Sequence, residues 1–256
     1  MSDFDRNYAA ATRGVGADRE VIDAGLRAYM IRIYNYMAMG VALTGVAAWL
    51  AYTMAGGDAI VIRGNQIANL TPFGQMIYST VGLIVMFVGT FGLVMLISFM
   101  INRLSPAMAL GLFMLYAALL GVFLSTIFIQ YTGTSITRVF FISAASFGAL
   151  SLYGYTTKRD LSPIGAFLVM GLIGLIIAMV VNMFWQNGMM AFIISVVGVL
   201  IFAGLTAWDT QKIKEMYDVN EDGTITARKA VMGALTLYLD FINLFLFMLR
   251  LLGDRR

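Results

Sequence analysis

Seven stretches of this chain are long and apolar enough to cross a bilayer, and that count constrains the fold more tightly than any motif does. They lie near residues 29–53, 73–101, 107–129, 139–155, 163–184, 189–208 and 230–252. A transmembrane helix needs about 20 mostly apolar residues. Turn and charge signals separate the runs: GGDAIVIRGNQ, NRLSP, YTGTSITR, TTKRDLSP, WQNG and DVNEDG. Composition agrees, with 60% hydrophobic and only 12% charged residues. A soluble domain carries about 25% charged residues and needs a polar surface. The sequence therefore predicts an all-α membrane protein, a seven-transmembrane-helix bundle spanning residues 28–253. The fourth run is short and rich in serine.

Residues 1–27 mix acidic and basic side chains and lack the apolar core of a signal peptide. They are read as a partly disordered cytoplasmic tail with a short surface helix over 21–29, and residues 254–256 as a C-terminal tail. Basic residues set the orientation. Arg103, Lys158, Arg159, Lys212, Lys214, Arg228 and Lys229 share one side with the N-terminal arginines, while Arg63, Arg138, Arg250, Arg255 and Arg256 fall on the other. That bias places the N-terminus inside and the C-terminus outside. The basic GDRR end argues mildly the other way, since a re-entrant last segment would put both ends inside.

Charge within the spans is scarce. Asp240 sits mid-run in GALTLYLDFINLFLFMLRLLG, and eleven residues of helix beyond Lys229 place it about 16 Å deep. An ionised aspartate at that depth costs on the order of 3 kcal/mol, so it must face protein or water and find a partner or a proton. Asn243 follows at i+3 on the same face, a narrow polar stripe that suits a last helix surrounded by the others. If the sixth helix continues to about Tyr217, Asp209 lies two turns inside its end and can face Asp240 across the interface. Two carboxyls in contact cannot both ionise cheaply and would share one proton. With no histidine in the chain, such a pair is the natural pH sensor. Asp209 has a second reading, as a helix-end charge paired with Lys212 or Lys214, and Asp240 as a purely structural carboxyl. Arg103 on its own reads as a flanking base that reaches the headgroups.

The absence of cysteine and histidine excludes disulfides, thiolate metal sites and most transition-metal centres. From Asp218 the chain resembles a calcium-binding loop, with Asn220, Asp222, Gly223 and Ile225 at the usual positions. The twelfth position, however, is Lys229 instead of a bidentate glutamate. The loop is therefore read as an ordinary turn between the last two helices.

The segment GLTAWDTQKIKEMY, ending at Tyr217, and ALTLYLDFINLFLFMLRLLG, ending at Gly253, resemble the signature segments of the Bax-inhibitor family, and of its bacterial members in particular. The resemblance covers the whole membrane region. It implies a pH-sensitive calcium leak with the last helix enclosed by the other six. It also implies that Asp209 and Asp240 form the proton-sensing pair, with transient calcium at the same carboxyls, and that Arg103 acts as a latch on the pair. A bacterial inner membrane is the implied location, with the bilayer and another membrane protein as partners. No cofactor, no nucleic acid and no enzymatic activity are expected, since an intramembrane aspartyl protease would need a GxGD-type motif that neither AWDTQ nor YLDFI supplies. The alternative is a non-conducting membrane interaction protein that regulates stress responses, cell death or a membrane protease.

Overall fold

The computed structural model describes residues 3–63 and 66–256, with side chains from Ala24 onward apart from residues 62–66. Helix α1 (Asp3–Ala55) is helical from far ahead of its apolar run. The segment read as a partly disordered tail thus continues the backbone of the first span, and its alanines and arginines are good helix formers. A 3₁₀ turn (Gly57–Ala59) and a two-stranded hairpin follow, β1 (Val61–Arg63) against β2 (Gln66–Ala68), with Val61 opposite Ala68. The run expected over 73–101 is broken into α2 (Pro72–Ile77) and α3 (Thr80–Met100). Ser79 makes the break by capping α3, its side chain accepting from the Gly82 amide at 2.9 Å. Helix α4 (Pro106–Leu124) and the short α5 (Thr126–Gln130) share one span, interrupted where Ser125 Oγ donates to the Val122 carbonyl at 2.6 Å. The remaining helices are α6 (Gly133–Thr156), α7 (Ser162–Trp185), α8 (Gly188–Glu215) and α9 (Gly223–Leu252).

Among the described residues, seven helical segments are long and apolar enough to span a membrane. Helix α9 is the hub and packs against α1, α4, α6 and α8. Within its apolar window 67% of residues are buried, against 11% for α3 and 17% for α7, so the last helix is central and those two face lipid. Unbroken over 30 residues, α9 is about 45 Å long, which leaves no re-entrant turn. Tyr238 anchors it: the ring meets Phe113 and Tyr116 edge-on at centroid distances of 5.4 and 5.9 Å, and its hydroxyl lies 2.6 Å from Thr44 Oγ1.

Backbones approach closely where glycine permits. A Cβ on Gly121 would press on the Thr44 carbonyl of α1, and one on Gly154 would run into the Ala207 backbone of α8. Trp185 ends α7 at 80% exposure, as a boundary indole should. Trp208 lies inside α8, which continues to Glu215, and fills the notch left by Gly165.

A candidate functional site between the last two helices

Helices α8 and α9 run side by side, and α8 extends past its apolar run because Asp209, Gln211, Lys212 and Lys214 sustain helix without needing lipid. This brings the carboxyls of Asp209 and Asp240 within hydrogen-bonding reach of each other. Asp240 is only 5% exposed, and its Oδ2 is buried with no hydrogen-bond partner. Asp209 is half-buried, and Lys212, one turn further on, is the basic group whose charge acts on it. Lys212 does not close an ion pair, since its ammonium lies over the Trp208 ring at 5.1 Å. Two full negative charges about 4 Å apart repel by about 4 kcal/mol even at an effective dielectric constant of about 20. The arrangement therefore favours a single shared proton, and the pair can step between zero, one and two negative charges.

Among the described residues, the other expected participants make no bond to the pair. Asn243 shares a half-buried stripe of α9 with Met232, Thr236, Leu239 and Leu246. Its amide is turned back onto its own helix, Nδ2 donating to the Leu239 carbonyl at 2.8 Å, and makes no bond to Asp240. Arg103 is exposed in the turn after α3 and, among the described residues, forms no salt bridge with either aspartate. The base that ties that turn to α9 is Arg228, whose Nε donates to the Leu104 carbonyl at 2.7 Å.

The loop that resembles a calcium site uses its groups internally. Asp218 Oδ1 accepts from the backbone and side chain of Asn220 at 2.9 and 3.1 Å, and Lys229 pairs with Glu221 at 2.6 Å while donating to the Met216 carbonyl at 2.9 Å. The lysine that takes the twelfth position is thus a clamp closing the loop. No group of three or more acidic side chains placed to hold a metal ion occurs among the described residues. Two carboxyls alone fall short of the six to eight oxygens calcium takes, so the pair does not by itself make a resident calcium site.

Sequence reasoning missed the neutral polar groups around the pair. Tyr34 OH lies 2.6 Å from Ser151 Oγ, which lies 2.9 Å from Thr210 Oγ1, linking α1, α6 and α8 through one chain of hydroxyls. Gln211 accepts from the Leu161 amide and donates to the Arg159 carbonyl, both at 2.8 Å, and so fixes the α6–α7 loop on α8. The clue was present in the run Asp209-Thr210-Gln211, three polar residues in a row on a membrane helix, which between them must face three directions.

The family model described as "Inhibitor of apoptosis-promoting Bax1" matches residues 26–256. The inner membrane protein YbhL of Escherichia coli is 44% identical over 236 residues, covering 91% of this chain and 94% of the relative. An uncharacterized protein of Rickettsia prowazekii is 45% identical over 241 residues, 93% of this chain and 94% of that one. An uncharacterized membrane protein of Streptococcus pyogenes is 39% identical over 233 residues, 90% and 94% of the two chains.

Proposed function

The chain belongs to the Bax-inhibitor family of membrane proteins, and from that premise we propose that it is a pH-sensitive passive leak for calcium, gated by Asp209 and Asp240. The observation that carries this reading is a buried carboxyl pair with an unpartnered oxygen at the interface of the central helix and its neighbour. Gain or loss of one proton changes the charge of that interface by a full unit in a medium of low dielectric. Such a change is large enough to shift a packing equilibrium between α8 and α9. The gate rests on the pair alone. A latching role for Arg103, in the turn after α3, requires a salt bridge to the pair that it does not make among the described residues. The proposed placement is in a bacterial inner membrane, with the N-terminus and the basic loops on the cytoplasmic side.

The reading is tested by calcium entry into dye-loaded liposomes carrying the full-length protein, between about pH 6 and pH 8. The parent gives a flux that varies with pH, and in Asp240→Asn the variation is lost. Folded parent that passes no more calcium than empty liposomes would overturn the leak and favour the non-conducting interaction protein.

A further inference from the structure

A groove of about 720 Å³ opens along the seam between α1 and α6. Its length is apolar, built by Met30, Ile31, Phe147 and Leu152, and Ile31 and Leu152 are 49% and 63% exposed towards the bilayer. One end is cationic. Arg27 lines the groove there, beside Tyr155 at the end of α6. Lys214 reaches the same tyrosine, donating to its carbonyl at 2.8 Å with the ammonium 5.1 Å from the ring centroid. Further along, the hydroxyls of Tyr34 and Ser151 also border the groove. Gly148 leaves it open, since a Cβ there would meet nothing within 4 Å.

A slot that is apolar along its length, with Arg27 lining one end and Lys214 just behind the tyrosine there, matches the shape and charge of one kind of molecule. We propose that an anionic phospholipid, from the leaflet on Arg27's side, occupies this groove. Its phosphate is held by Arg27 and Lys214 and one acyl chain lies against Phe147 and Gly148. A basic residue at the surface of an anionic membrane favours such a headgroup by about fivefold. The Tyr34 and Ser151 hydroxyls pair with each other at 2.6 Å and the rest of the wall is apolar, so lipid is the natural filling. Neither carboxyl of the pair lines the groove, and the proposal does not depend on ion conduction.

Native mass spectrometry of the full-length protein, offered phosphatidylglycerol or phosphatidylcholine with the same acyl chains, tests this. The parent retains phosphatidylglycerol in preference. Arg27→Gln and Lys214→Gln each lower its retention about fivefold. Gly148→Leu fills the groove and lowers retention as well, with the melting temperature in lipid-free detergent unchanged. Equal retention of the two lipids overturns the proposal, as does full retention by Gly148→Leu. A co-purified membrane peptide in place of lipid would also overturn it.

Discussion

The two ends of α9 are held by opposite means. Beyond its C-terminus, the Asp254 amide donates to Ser135 Oγ at 2.9 Å, the Thr132 amide to the Asp254 carbonyl at 3.2 Å, and the Arg256 amide to the Gln130 carbonyl at 3.0 Å. Arg138 pairs with Asp254 at 2.9 Å, and Arg256 donates to Tyr52 OH at 3.1 Å. From its middle to its N-terminal end Tyr238, Arg228 and Lys229 also make polar ties, but buried oxygens are left over. Asp240 Oδ2, Tyr29 OH and Glu221 Oε2 are the buried side-chain atoms left without a hydrogen-bond partner among the described residues, and all three lie along that part of the helix or against the loop that feeds it. A buried polar group left unpaired costs about 1–3 kcal/mol. One end therefore has a single packing that satisfies everything, while the other holds unspent hydrogen-bonding capacity that a proton, an ion or a shifted helix can use. The same helix is an anchor at one end and a switch at the other.

Mutations at the anchored end should cost stability and leave the pH response of flux intact. The largest loss is expected from Gly253→Val, where a Cβ would run into the Leu249 carbonyl and the Tyr131 ring. Thermal unfolding in detergent should report about 1–3 kcal/mol. If the pH response disappeared with it, the two ends would not be separable and the comparison would break. Tyr238→Phe sharpens it from the middle of the helix, removing the 2.6 Å contact with Thr44 while keeping the ring between Phe113 and Tyr116. The expected cost is about 1 kcal/mol. Asp254→Asn gives the smallest effect, below about 1 kcal/mol, because the Arg138 and Asp254 side chains are 58% and 69% exposed.

Much of this was legible in the sequence, for a physical reason. Hydropathy runs report the bilayer directly, so the spans and the centrality of the last helix could be read from apolar length and from one isolated aspartate. The continuation of α8 to Glu215 was legible too, because WDTQKIKE keeps helix-forming residues past the apolar run. The breaks at Ser79 and Ser125 were not, since a capping serine inside an apolar stretch looks like any small residue until its hydroxyl finds a backbone partner. Nor was the hydroxyl chain through Tyr34, Ser151 and Thr210, whose members are 117 and 59 residues apart and meet only through packing. Arg103 shows the same limit from the other side. Its place at a helix end was readable, whereas whether it pairs with the aspartates depends on how the turn after α3 stands against the bundle.

The central claim is that Asp209 and Asp240 act as one titrating unit. The most direct measurement is a double-mutant comparison of calcium flux against pH in proteoliposomes, with Asp209→Asn, Asp240→Asn and the two together beside the parent. Residues that act as a unit are non-additive, so the account predicts that either single change removes the pH dependence and that the double change adds nothing further. Two partial losses that sum in the double variant would show independent groups and contradict the shared-proton gate.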